Sequence, residues 1–189
     1  MTFDQIVADY IRTQRPYTRA EMMDFVNEPS PSAAISRAAL CEMKDGKRHP
    51  HQRRIPKKLL EHVEAKLQAI RRKLSNAADF AALHSLVERE IGNIKGIGAL
   101  TVYDISHRIG AHFGKAPERV YLHAGTRVGA RVFSITGDSF DPKILPKAFA
   151  RLAPSEIEDC LCIYKAELTG SSRHDSRSSD CSVARRPRC

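Results

Sequence analysis

The sequence predicts an all-α fold, a compact bundle of many helices, and three observations support this prediction. Apolar residues recur at helical spacing along most of the chain. Aromatic residues make up only 6% of the 189 residues and Trp is absent, so the core must be mostly aliphatic, which favours helices over a sheet. Capping patterns and prolines precede the apolar runs. We expect about eight helices in one domain over residues 1–168 and a separate tail over residues 169–189.

The first three predicted helices each follow an N-terminal capping pattern. Thr2 and Gln5 form a capping box, in which each side chain can bond a free backbone amide of the other residue. Thr18 and Glu21 repeat the same spacing ahead of the second apolar run. Ser30 precedes a proline, which is common in the first turn of a helix.

The middle of the chain alternates between a loop, helices and one glycine-rich break. Residues 44–54 are polar and basic without an apolar period, which predicts a loop. Pro56 then begins a long amphipathic helix that continues through Leu74, and Asp79 precedes another. Residues 92–98 interrupt the helical pattern before a further helix follows.

The last third of the chain predicts shorter elements. We expect residues 117–128 to be helical, residues 134–141 to form a polar loop and residues 142–152 to form a short helix. Pro154 opens the last helix. From Thr169 onward the chain is rich in Ser and Arg and has almost no apolar residues, which predicts a disordered tail.

Composition narrows the classes of function. The formal net charge of +9 favours association with polyanions, nucleic acid above all. The five cysteines are odd in number and match no disulfide framework or zinc pattern, so no metal site is predicted. No signal peptide pattern and no apolar run of the roughly 20 residues needed to cross a bilayer are present in the sequence. We therefore expect a cytoplasmic protein without membrane association.

Two glycines around one isoleucine form the most informative motif. Gly96 and Gly98 permit a tight turn between two helices, and the apolar Ile97 between them can insert into the core. The amides that follow Gly98 then lie at a helix N-terminus, where free N–H groups favour an anion such as phosphate. The predicted phosphate-binding residues are Lys95, Gly96, Ile97, Gly98, Ala99, Leu100 and Thr101.

This stretch resembles the helix-hairpin-helix motif of DNA-repair proteins, which reads apolar-Gly-apolar-Gly between two helices. The match places the motif at about residues 80–113, with Lys95 where a proline is common. The resemblance implies non-sequence-specific binding to the backbone of double-stranded DNA. It implies no organic cofactor, and it allows a monovalent cation at the hairpin. Two glycines at a helix junction also serve simple chain reversal, which is the alternative interpretation.

The order of segments after the hairpin is also similar to that of the helix-hairpin-helix DNA glycosylases, which implies a base-excision enzyme as an alternative. The hairpin lysine of the bifunctional members would fall near Leu100, which cannot act as a nucleophile. An ungapped count places Glu118 at the catalytic carboxylate, whereas aligning the later arginines places Leu122 or His123 there. An acidic residue at a helix start also stabilises the helix dipole, so Glu118 has a purely structural interpretation too.

Further polar residues extend the candidate site. Tyr121 and His123 are expected either to line a pocket for a flipped base or to pack tightly between helices. Asp104 and His107 are expected to form only a surface pair. Additional positive charge toward DNA is predicted from Arg53, Arg54, Lys57, Arg108, Arg127 and Arg131. A second alternative remains, a helical protein-interaction module without any role in nucleic-acid binding.

The whole chain also looks like a group of uncharacterised bacterial proteins. The segments that carry this resemblance are residues 103–104, 120–127 and 156–165, and it extends over most of residues 1–168. It implies no activity.

Overall fold

The computed structural model describes residues 1–170, and most of them are helical. The helices are α1 (Phe3–Thr13), α2 (Arg15–Val26), α3 (Pro31–Ala39), α4 (Lys57–Ala69), α5 (Arg71–Ser75), α6 (Phe80–Ile91), α7 (Ala99–His112), α8 (Ala124–Ala130) and α9 (Pro154–Ile163). Single 3₁₀ turns lie at Pro50–Gln52, Arg131–Phe133, Pro142–Ile144 and Lys147–Arg151, and the strands are β1 (Val120–Tyr121) and β2 (Ser139–Phe140). The mostly helical architecture confirms the predicted all-α class.

The predicted start of the tail lies inside a helical segment. Residues 165–170 form a further helical segment after α9, so the chain is still helical at Thr169. The rest of the predicted disordered tail lies outside the described residues. Over residues 1–170, the helices are all too short or too polar to cross a lipid bilayer.

The capping patterns are confirmed in three of four cases. The Thr2 hydroxyl accepts the Gln5 amide at 3.3 Å, and the Gln5 side chain accepts the Thr2 amide at 2.8 Å. The Ser30 and Asp79 side chains cap α3 and α6 by accepting the amides of Ala33 and Ala82, without the return bond of a capping box. The Thr18 capping box is wrong, because α2 already begins at Arg15 and Thr18 lies inside it. Pro16 lies in the first turn of α2, where a proline is well tolerated, so α2 begins after a break of one residue, Gln14.

Three predicted helices differ in the structure. The long helix after Pro56 is interrupted at Ile70, which separates α4 from α5. The segment 117–123 is not helical, because Val120 and Tyr121 pair antiparallel with Phe140 and Ser139. This pairing buries Val120 and Phe140, and only the part from Ala124 onward is helical. The predicted helix over 142–152 is instead a pair of 3₁₀ turns.

The core consists of two clusters of buried apolar side chains. One joins α3, α4, α6 and α7 with the end of α2, and the other joins α1, α8, α9 and the two strands. Helix α7 packs against α2, α3 and α6. In the second cluster α8 lies so close to α9 that a Cβ on Gly129 would sit 2.2 Å from the Leu161 carbonyl oxygen. Helix α7 therefore has packed neighbours on several sides, and the polar sites described below lie along it.

Candidate functional site

The hairpin segment, residues 92–98, connects α6 to α7. Ile97 is buried at 7% exposure and is part of the core cluster around α7, so it anchors the turn. Gly96 has a φ of +100°, a conformation that favours glycine, and a Cβ there would lie 3.0 Å from Leu59 Cδ2 on α4. The two glycines thus permit a turn that packs directly on the first turns of α4.

The N-terminus of α7 presents backbone amides without a side-chain cap. Its N-cap residue is Gly98, which has no side chain to bond them, and the first helical hydrogen bond runs from the Val102 amide to the Gly98 carbonyl at 3.1 Å. The amides of Ala99, Leu100 and Thr101 precede that bond. Gly98 and Ala99 are exposed, whereas the Leu100 and Thr101 side chains turn toward the protein. An anion at this end would therefore be bound by main-chain groups.

Positive charge collects beside this helix end. Lys95 is exposed within the hairpin segment. The basic segment, residues 53–58, leads into α4 immediately before Leu59, and its residues Arg53, Arg54, Lys57 and Lys58 are exposed. Because Leu59 packs on Gly96, the basic segment and the hairpin segment are neighbours on the surface.

The three later arginines occupy different environments. Arg108 does not contribute to a surface, contrary to the prediction, because it is 6% exposed and its Nε donates to Glu21 Oε1 at 3.0 Å. Arg127 bonds the Gly137 carbonyl and donates from Nη2 to Asp138 at 2.8 Å. Arg131 is exposed at the start of the 3₁₀ turn after α8. No pattern near Arg108 in the sequence indicates that this residue has an acidic partner on α2.

A cleft of about 280 Å³ opens between α6, α7 and β1, and we call it the α6–α7 cleft. Aromatic rings form its walls: the His84 and Tyr121 centroids are 4.7 Å apart, and those of Tyr103 and Tyr121 are 5.5 Å apart. Burial lowers the pKa of His84 and raises the pKa of Tyr121. Ala99, the first residue of α7, is also in the wall, so the cleft begins at the hairpin.

His123 is the N-cap residue of α8 and is buried at 5% exposure. Its Nε2 bonds Glu158 on α9, and the Thr126 hydroxyl donates to the same carboxylate at 2.8 Å. This arrangement agrees with the alternative in which His123 packs tightly between helices and has polar partners there. Tyr121 and His123 both line the α6–α7 cleft, but Tyr121 is only half-buried.

Glu118 is not at the start of a helix, contrary to expectation. It is exposed in the non-helical segment before β1 and is not among the residues that line the α6–α7 cleft. The carboxylates that do line it are Glu88 on α6 and Asp138, which is paired with Arg127. Their positions depend on the fold of distant segments, so spacing alone did not indicate them.

On the other side of α7 lies a second cleft of about 340 Å³, the central cleft, between α2, the loop before α4, α7 and α9. Asp104 and His107 line it, so the expected surface pair faces a cleft instead. Burial raises the pKa of Asp104 to about 6 and lowers the pKa of His107 to about 4. Within residues 1–170, no three His, Cys, Asp or Glu side chains are grouped closely enough to hold a metal ion.

Comparison with models of protein families, with curated proteins and with solved structures gave no match for this chain.

Proposed function

We propose that this protein binds the backbone of double-stranded DNA, without reading its sequence, through the N-terminus of α7 and the basic surface beside it. The observation that carries this proposal is the uncapped, exposed start of α7 next to Lys95 and the basic segment. Main-chain amides and cationic side chains are the groups that contact phosphates without distinguishing bases.

The charge balance of this surface supports an anionic partner. Its five exposed cations are Arg53, Arg54, Lys57, Lys58 and Lys95. Within the described residues only Lys57 among them forms an ion pair, with Glu61 at 3.8 Å. That pair is exposed on both sides and contributes little, so it does not prevent a phosphate from recruiting Lys57.

Salt dependence tests the proposal. The binding of the full-length chain to a fluorescently labelled 20-base-pair duplex is measured by anisotropy at several salt concentrations. If five phosphates are contacted, a plot of log Kd against log salt concentration should have a slope of about 4.5. Affinity should then fall about 500-fold between roughly 50 and 200 mM salt.

Matched charge changes locate the contact surface. Lys95→Gln should reduce the slope by about 0.9, because one counterion fewer is released. Lys73→Gln removes the same charge at an exposed position on α5. Lys73 follows the opposite end of α4 from the basic segment, and α4 is about 20 Å long. That control should leave the slope unchanged. Equal losses in both variants would indicate diffuse attraction to a basic protein and contradict the proposed surface, as would the absence of binding at low salt.

A second candidate function, base excision, is favoured by one observation. The aromatic-walled α6–α7 cleft begins at Ala99, beside the proposed DNA surface, where a flipped base could stack on Tyr121. Of the two exposed carboxylates in that wall, Asp138 is paired with Arg127, so Glu88 would act as the acid. Cleavage of uracil-containing and abasic duplexes should then be lost in Glu88→Gln and kept in Glu118→Gln. Wild-type protein that binds these duplexes without cleaving them would remove this candidate and leave the first.

A further inference from the structure

The central cleft contains buried polar atoms that form no hydrogen bond. Within the described residues, three side-chain atoms of its lining residues have none: His49 Nε2, the Tyr103 hydroxyl and Arg108 Nη1. Of these, His49 Nε2 lies 3.5 Å from Glu21 Oε1 but lacks the geometry of a hydrogen bond. Their residues are 6%, 3% and 6% exposed, respectively. Leaving a buried polar group unbonded is unfavourable, and three in one wall indicate that the cleft is built to bond a polar guest.

The charges in the wall indicate which kind of guest. Four carboxylates line the central cleft, on Glu21, Asp104, Glu158 and Asp159. Among the residues that the structure describes, Arg108 is the only lysine or arginine in that wall, and it is already paired with Glu21.

The two histidines in the wall do not balance the negative charge of these carboxylates. Burial lowers the pKa of His49 and of His107 to about 4, so both are neutral at pH 7. Burial also raises the pKa of Asp159, although the Tyr10 and Thr18 hydroxyls donate to it, each at 3.1 Å. The wall therefore has a surplus of acidic groups.

We propose that the central cleft binds a small organic cation that also carries a hydroxyl or carbonyl oxygen, the chemistry of an amino alcohol or an amino sugar. An ammonium group would offset part of the negative charge of Asp104 and of the carboxylates on α9, and the oxygen of the ligand would accept a hydrogen bond from Arg108 Nη1 or from the Tyr103 hydroxyl. An anion would face four carboxylates and one arginine that is already paired. The volume of about 340 Å³ is in the range of small-molecule sites and is too small for a folded partner.

The cleft is accessible from solvent beside α2 and α9. Tyr17 and Ile163 lie in its wall and are 77% and 45% exposed. Their exposed faces form an apolar rim, which fits the carbon skeleton of such a ligand while the polar atoms lie deeper.

The test uses three sugars that differ mainly in charge: glucosamine, glucose and glucuronate. NMR titration of the full-length chain should show glucosamine binding with a Kd on the order of millimolar, as expected for a ligand of this size. Glucose and glucuronate should bind at least about 10-fold more weakly, because they lack the ammonium group.

Two substitutions assign the binding to the cleft. Tyr103→Phe removes only an unbonded hydroxyl, so the fold should persist while glucosamine affinity falls about 5-fold. Asp159→Asn removes one negative charge and should lower it about 10-fold or more. Tyr121→Phe, the same change in the α6–α7 cleft, is the control and should have no effect.

Three results would overturn the proposal. They are no detectable glucosamine binding at about 50 mM, well above the expected Kd; equal binding of glucose or glucuronate; and binding that is unchanged in both Tyr103→Phe and Asp159→Asn. None of these results bears on duplex binding, which depends on other residues.

Discussion

Replacing Ala99 with proline removes one backbone donor from the proposed phosphate site while leaving the helix able to form. Ala99 is the first residue of α7, and its amide precedes the first helical hydrogen bond. Proline is well tolerated at that position because its missing N–H is not needed there. The preceding Gly98 has φ −99° and ψ 169°, the extended conformation that a following proline requires.

The magnitude follows from the kind of bond that is lost. A hydrogen bond from an amide to a charged phosphate contributes about 1.5–3 kcal/mol, because one partner is ionised. Its removal should weaken duplex binding about 10- to 100-fold at low salt. The salt slope should stay close to the wild-type value, since no cationic side chain is lost.

The assay compares three proteins by anisotropy with the same labelled duplex: wild type, Ala99→Pro and Ala99→Ser. Serine also changes the side chain but keeps the amide, so Ala99→Ser should bind within about twofold of wild type, as surface substitutions usually do. Thermal unfolding should be closely similar in all three. If Ala99→Pro folds normally and binds DNA as tightly as Ala99→Ser, the start of α7 does not hold a phosphate and our reasoning is refuted.

Three further predictions concern stability and are measured by thermal or urea unfolding. Gly96→Ala should cost about 2 kcal/mol because of its positive φ and the proximity of Leu59, whereas Gly98→Ala, which meets no neighbouring atom within 4 Å, should cost much less. Gly129→Ala should cost about 3 kcal/mol, since its Cβ would overlap a backbone carbonyl of α9; a loss below about 1 kcal/mol would contradict the close approach of the two helices. Glu156→Gln should cost about 1–2 kcal/mol at pH 7, where two arginines donate to the carboxylate. Burial raises the pKa of Glu156, but hydrogen bonds from a backbone amide and from these two arginines hold it below the usual value of 4.5. The stabilisation by the carboxylate is therefore complete above pH 4.5 and is lost as the pH falls through the lower pKa of the folded state. The stabilities of Glu156→Gln and wild type should therefore converge in acid.

Local signals predicted the parts of the fold that depend on neighbouring residues. The caps formed by Thr2, Ser30 and Asp79 were predictable because each needs only a side chain and the amide three residues further along the chain. The glycine-rich break at 92–98 was likewise predictable, because it needs only backbone freedom and one apolar anchor.

Long-range pairing was not predictable. Val120 becomes part of a strand only because Phe140 lies beside it, and nothing near Val120 in the sequence indicates that partner. The central cleft was missed for the same reason. Asp104 and Arg108 have ordinary spacing for the exposed face of a helix, and their burial depends on α2 and α9, which lie more than 40 residues away along the chain. The spacing of Asp104 and His107 predicts that they lie on one face of a helix, but spacing alone does not reveal whether that face is covered by other elements.

One aromatic ring separates the two clefts. Tyr103 forms part of the wall of both, so any molecule that moves this ring from one side changes the shape offered on the other. Such an effect is necessarily mutual: a first ligand that strengthens or weakens the binding of a second is itself strengthened or weakened by the same factor. Titrating either cleft with the other occupied would therefore measure one and the same coupling free energy.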